Sequence, residues 1–210
     1  MTNEENEIVA QILADLAKND KSPRRHANFF EFWKKPVKET GIFEEFIAAL
    51  EVHIGASIRT WRLAETDPPD VIVTLENDQR IGVELTELVN KEAIEAQIQK
   101  PEIYSGVALS FGVTEALDAI NTIIDIKSNK MRHLTSEYDQ LILLIHTDEI
   151  MLTSASFVSG MSNHAFRHSD VFNSVHLMFS YEPASKSYPV VKILSNKSSQ
   201  PTPKNGAAAF

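Results

Sequence analysis

Asp67-Pro68-Pro69-Asp70-Val71-Ile72-Val73-Thr74-Leu75-Glu76-Asn77-Asp78-Gln79-Arg80-Ile81-Gly82-Val83-Glu84-Leu85-Thr86 is the stretch that decides the fold. Two runs rich in β-branched residues, Val71 to Leu75 and Ile81 to Leu85, flank the polar connector Glu76 to Gln79. Short runs joined in this way predict a β-hairpin. Side chains alternate along a strand, so Asp70, Ile72 and Thr74 share one face, and Gly82, Glu84 and Thr86 share one face of the next. If the two faces coincide, Asp70 and Glu84 converge where the first strand starts and the second ends. Hard cations such as Mg²⁺ take oxygen ligands, usually one or two carboxylates with water and substrate phosphate. The competing reading is a surface hairpin with solvated acidic edges. Two features favour a site: Glu84 is embedded in Ile81-Gly82-Val83-Glu84-Leu85, and Pro68-Pro69 rigidly sets the backbone entering Asp70.

Composition bounds what such a hairpin belongs to. The chain has 210 residues with 43% hydrophobic content, enough for one domain with a sizeable core. We expect a single domain over 1–194 and a disordered tail over 195–210, where Asn, Lys, Ser, Gln, Pro and Ala dominate. The absence of cysteine excludes disulfides, thiolate zinc sites and cysteine nucleophiles. The N-terminus is acidic, and no apolar run approaches the roughly 18 to 20 residues of a membrane span. The expectation is a soluble, cytoplasmic protein without a membrane partner. A net charge of −9 opposes non-specific attraction to nucleic acid, although a local basic patch suffices for binding.

Upstream, residues 7 to 18 have the apolar spacing of an amphipathic helix. Residues 21 to 35 interleave cations with Phe29, Phe30, Phe32 and Trp33, which marks Arg24, Arg25, Lys34 and Lys35 as nucleic-acid-binding candidates. The alternative is that the rings pack a helix while the cations stay solvated. Residues 41 to 58 predict a helix with Phe43, Ile47, Leu50, Ile54 and Ile58 on one face. At about 100° per residue, Glu51 lies roughly 80° from the centre of that stripe and Glu45 nearly opposite. Ile58 to Leu63 reads as a strand leading into the hairpin.

Downstream, Glu87 to Lys100 is mildly helical and 101–112 reads as a loop. A helix follows from about Thr114, its expected cap, to Leu134. Its core stripe passes through Leu117, Ile120, Ile124 and Met131, and the seven-residue step from Ile120 lands on Lys127. A lysine in an apolar stripe needs a partner for its ammonium or a route to water. Asp139 to His146 is a short apolar run suited to a strand covered on both faces. A helix is expected at 163–173, then paired strands at 175–181 and 188–194.

Taken together, these residues resemble the PD-(D/E)XK nuclease superfamily, the restriction-endonuclease-like fold. Pro69-Asp70 matches the PD element and Glu84-Leu85-Thr86 falls where the (D/E)XK element belongs, with Thr86 in the place of the lysine. The resemblance covers about residues 42–146. It implies an α/β fold with an αβββαβ core, a mixed central sheet flanked by helices, extra N-terminal helices and C-terminal strands. It further implies that Asp70 and Glu84 bind Mg²⁺ or Mn²⁺, aided by the Leu85 carbonyl and by a third acid on the preceding helix, for which Glu51 is the candidate. Lys127 is the candidate for the displaced catalytic lysine, with Lys130 in reserve.

Three function classes follow. The first is a metal-dependent nuclease acting on DNA, or on RNA, with a homodimer as one expected assembly. The second is a nuclease-fold protein without catalysis, serving as a nucleic-acid-binding or interaction module. The third is a histidine metal site built on His164 and His168, four apart on the expected helix, with His146 and His176 on strands. No hydrolase-triad elbow, P-loop or dinucleotide loop is present.

Overall fold

The computed structural model describes residues 35–92, 111–149, 151–183 and 185–195. The expected helix at 7–18, Arg24, Arg25, Lys34, most of the segments at 87–100 and 101–112, and the tail beyond Ser195 lie outside the described residues.

In chain order the elements are α1 (Lys35–Ile54), β1 (Ile58–Leu63), β2 (Val71–Leu75), β3 (Arg80–Glu87), α2 (Val113–Met131), β4 (Gln140–His146), α3 (Ser154–Met161), β5 (Ser174–Met178) and β6 (Val190–Ser195). Among the described residues the strands form one mixed sheet in the order β1-β2-β3-β4-β5-β6. The first three strands run antiparallel, β3, β4 and β5 run parallel, and β6 returns antiparallel. No helix in the described residues is long and apolar enough to cross a membrane.

Alternation along the strands sorts the core into two layers. Val71, Val73, Ile81, Val83, Leu85, Ile142 and Leu144 pack against Phe43, Phe46 and Leu50 of α1. Leu141, Leu143, Ile145, Val175 and Leu177 pack on the opposite side against Leu117, Ile120 and Ile124 of α2 and Phe157 of α3. Burying rings such as Phe43 and Phe46, both 0% exposed, stabilises the fold by about 1.5 to 3 kcal/mol each. Continuous apolar runs are what a strand covered on both sides requires.

Helix α1 differs from the expectation for residues 41 to 58. It includes Lys35 and Glu39, its buried face is Ile42, Phe43, Phe46 and Leu50, and it ends at Ile54. Gly55, with φ +65°, provides the left-handed stop, and its N–H donates to the Glu51 carbonyl at 2.9 Å. Ile58 therefore opens β1 instead of continuing the helix.

Two further boundaries moved for local reasons. The cap of α2 is Gly112, whose N–H donates to the Glu115 carboxylate at 3.0 Å, so Thr114 already lies inside the helix. The expected helix at 163–173 is absent, and α3 lies earlier, over Ser154–Met161. Thr153 starts α3 by accepting from the Ser156 N–H at 3.2 Å. Residues 163–173 are instead held by side chains: Asn121 Oδ1 of α2 accepts from the Arg167 N–H at 2.8 Å, the Ser169 hydroxyl meets that of Ser128 of α2 at 2.8 Å, and Ser169 also accepts from the N–H groups of Val171 and Phe172. Such bonds offer the backbone an alternative to helical pairing. The C-terminal strands pair much as the pattern suggested, with Met178 opposite Val190 and a bridge between Glu182 and Ser187.

Candidate metal centre

The hairpin register places Val71 opposite Val83, which leaves Asp70 and Glu84 side by side at the open end of β2 and β3. Backbone bonds fix Asp70 on both flanks. Its N–H donates to the Val83 carbonyl at 3.2 Å, and its carbonyl accepts from the Ala64 N–H at 2.9 Å. Gly82 sits in a tightly packed corner beside this turn, where a Cβ would stand 2.9 Å from Leu141 Cδ2, 3.3 Å from Tyr138 and in ordinary contact, 3.4 Å, with Pro69. The turn carries Asp67 as well, and one oxygen from each of Asp67, Asp70 and Glu84 lies within 4.8 Å of the others.

Burial separates the three acids. Glu84 is 0% exposed and Asp70 7%, whereas Asp67 is half-exposed at the rim. Lysines supply the compensating charge. Lys127 Nζ donates to Glu84 Oε1 at 2.7 Å, so the lysine inside the α2 stripe has its partner across the layer. Lys130, one turn later, reaches Glu84 Oε1 at 3.1 Å and Asp67 Oδ1 at 2.6 Å. Lys35 approaches from α1, 3.2 Å from Asp70 Oδ1 and 3.4 Å from Asp67 Oδ2. Asp70 Oδ2 accepts from the Leu85 N–H at 2.8 Å.

A fourth carboxyl stands behind these three. Glu39 of α1 pairs with Lys35 at 3.2 Å. Burial, followed by the nearby Asp70 charge, raises its carboxyl above the usual range. Glu39 and Asp70 in turn raise the Lys35 ammonium, outweighing the opposing effect of burial. The Asp67 carboxyl is lowered by its bond to Lys130, and the Lys130 ammonium is raised against burial by Asp67 and Glu84.

Asp70, Glu84 and Lys127 therefore meet at one point, and Lys35 joins them there instead of standing on a separate basic surface. Glu51 does not. Its carboxylate accepts from the Ile58 N–H at 2.8 Å, and Ile58 pairs with Leu75, at the end of the sheet away from Asp70. The acid that α1 brings to the centre is Glu39, aligned with the buried face one turn before Phe43.

Asp67 and Glu39 were missed by the sequence reading. The signal for Asp67 was its place across Pro68-Pro69 from Asp70. Glu39 would have emerged had the helical pattern been extended upstream of Gly41. The histidine site does not assemble: His164 Nε2 meets Asn121 Nδ2 at 3.0 Å in a non-helical segment, and His176 lies under α1 against His53 and Phe46.

One buried atom tests whether a cation fits here. Glu84 Oε2 has no hydrogen-bond partner among the described residues, although Oε1 of the same carboxylate holds two ammonium groups. Leaving a buried carboxylate oxygen unsatisfied is costly, and a divalent cation would satisfy it. The donor set of carboxylate oxygens suits a hard ion such as Mg²⁺ or Mn²⁺.

Set against protein-family models, curated proteins and solved structures, the chain matches none of them. Fold and centre define an α/β protein whose mixed sheet carries an acidic cluster able to hold a metal ion.

Proposed function

We propose that this chain is a Mg²⁺- or Mn²⁺-dependent nuclease that hydrolyses phosphodiester bonds in DNA, or in RNA, as members of the PD-(D/E)XK superfamily do. The observation that carries the reading is the meeting of Asp67, Asp70 and Glu84 within 4.8 Å of one another, with Lys127 on Glu84 Oε1 and the other Glu84 oxygen without a partner among the described residues. Among the described residues the order α1, β1, β2, β3, α2, β4 supports it, being the αβββαβ order of the resembled core.

Asp70 and Glu84 would hold the metal, with Asp67 at the rim and Glu39 behind. A bound cation lowers the pKa of a coordinated water and offsets the charge growing on the phosphate. The chain's own contribution is positional. The Leu85 N–H orients Asp70, and Lys127 stands where Thr86 leaves the strand without a lysine, ready to orient the attacking water. A cytoplasmic location, a nucleic-acid partner and a homodimer belong to the same proposal.

The test is cleavage of a labelled DNA or RNA strand with Mg²⁺ or Mn²⁺, comparing wild type with Asp70→Asn and Glu84→Gln. Cleavage lost in both variants, with the fold intact by circular dichroism, supports the reading. Cleavage that survives both substitutions eliminates it.

One observation favours the second class, a nuclease fold without catalysis: lysines already occupy Asp67 Oδ1, Asp70 Oδ1 and Glu84 Oε1. Calorimetric titration separates the two, since a module that lost its chemistry takes up no Mn²⁺ at Glu84.

A further inference from the structure

Lysines meet the acid centre in two different ways. Lys127 is mostly buried, 19% exposed in its side chain, and contacts Glu84 through the oxygen opposite the unsatisfied one. A cation taken up at Oε2 leaves that contact undisturbed. Lys35 and Lys130 are 62% and 37% exposed, reach in from α1 and α2, and both end on Asp67. They hold Asp70 Oδ1 and Asp67 Oδ1, while Asp70 Oδ2 is taken by the Leu85 N–H. A cation binding Asp67 and Asp70 thus competes with these two ammonium groups for the same oxygens.

Charge bookkeeping gives the consequence. Three carboxylates, Asp67, Asp70 and Glu84, face three ammonium groups, Lys35, Lys127 and Lys130, and the sum is zero. Ionised Glu39 makes the sum −1. A phosphodiester gains nothing from entering such a centre. A divalent cation makes it positive whichever state Glu39 takes, and the two exposed lysines, on long flexible stems, are pushed off their carboxylates.

Building on the nuclease reading, we propose that Lys35 and Lys130 form a phosphate-binding pair held in reserve on the acid centre. Metal uptake by Asp67, Asp70 and Glu84 releases them, so that nucleic acid binds after the metal and not before. Lys127 remains on Glu84 as a positioning residue. The pair grips phosphates on either side of the reacting one, which gives α1 and α2 one strand-holding role.

Fluorescence anisotropy of a labelled oligonucleotide at low salt, in EDTA and in Ca²⁺ or Mn²⁺, tests this without requiring turnover. Metal should tighten binding of the wild type at least tenfold. Lys35→Met and Lys130→Met should each remove about tenfold of the metal-dependent affinity and lower its salt slope by about one. Mn²⁺ affinity measured by calorimetry should stay equal or rise in both variants, because a competitor for the carboxylates has gone. Oligonucleotide affinity that is the same with and without bound metal overturns the proposal, as do lysine variants that bind like the wild type. Wild-type protein that takes up no Mn²⁺ instead overturns the underlying metal reading. Both side chains are exposed, so unfolding should not intervene, and thermal melting checks that.

Discussion

Lys127 Nζ lies 2.7 Å from Glu84 Oε1, joining a helix stripe to a strand interior through a carboxylate that is 0% exposed. Breaking a buried pair by removing one partner typically costs about 3 to 5 kcal/mol, since a charge is left unpaired. Lys130 still reaches the same oxygen at 3.1 Å, so Lys127→Met should cost less, about 2 kcal/mol. Adding Glu84→Gln should recover part of that loss. Urea unfolding of the single and double variants checks both expectations, and strict additivity would show that the pair is not coupled.

Metal uptake should appear as stability. A ligand that binds the folded state at a hundred times its Kd adds about 2.7 kcal/mol. Mn²⁺ should therefore raise the melting temperature of the wild type, while Glu84→Gln and Asp70→Asn should lose that rise. Glu39→Gln should weaken it, because Glu39 stands beside Asp70. An undiminished rise in Glu84→Gln would place the ion elsewhere.

Glu51 supplies the contrasting control. Its carboxylate joins the end of α1 to the start of β1 through the Ile58 N–H. Glu51→Ala should lower stability by about 1.5 to 3 kcal/mol, the scale of a lost hydrogen bond to a charged group. Its Mn²⁺ affinity should equal that of the wild type. A change in metal affinity would return Glu51 to the centre.

Two buried histidines should destabilise the fold in acid. Burial, followed by nearby positive charge, lowers the imidazoles of His146 and His176 to about 3 from 6.5. Above pH 6.5 both are neutral in either state and contribute no difference. As pH falls below that value the unfolded chain takes up protons that the folded chain refuses, so stability drops. Asp148 works the other way: burial and the charges of Glu87 and Glu149 raise it to about 6 from 3.8, and the stability it contributes at low pH is lost as pH rises through 6. Between about pH 6 and 4.5 these three groups by themselves leave a net loss of about 1.4 kcal/mol per pH unit, to which the lowered His53 adds and which the raised Glu39 and Glu149 oppose. Denaturant titrations of the wild type and His176→Phe from pH 7 to 4.5 should show a shallower acid loss in the variant, and equal slopes would contradict the expectation.

Gly82 carries a steric expectation. Leu141, Tyr138 and Pro69 crowd the space a side chain would need, the nearest atom standing 2.9 Å from the Cβ position. Gly82→Val should force Leu141 Cδ2 and the Tyr138 ring aside, lowering stability, and its branches should press on Pro69 beside Asp70, lowering Mn²⁺ affinity as well. Retained affinity would show that the turn does not depend on this contact.

Much of the centre was legible in the chain because it is local. A period of two residues fixes which side chains share a strand face, so Asp70 and Glu84 could be paired from the hairpin alone. Lys127 was legible as an anomaly, since a charge within an apolar stripe needs a partner. What failed was also local, but it depended on boundaries. Reading α1 from Gly41 centred the stripe near Ile47, Ile54 and Ile58, which brought Glu51 forward and left Glu39 out. Residues 163–173 failed because side-chain bonds to Asn121 of α2 compete with helical pairing, and that partner is distant in sequence.

By itself, then, the sequence determined the two strand faces, the two-sided burial of β4 and the placing of a lysine where the helix meets the sheet, all consequences of short-range periodicity and apolar burial. Only the tertiary structure decided which acid of α1 reaches Asp70, that Asp67 and Lys35 join the cluster, and that one oxygen of Glu84 finds no partner among the described residues. Those depend on where the end of one element falls against another, which is set by packing between the layers and leaves no periodic trace in the chain.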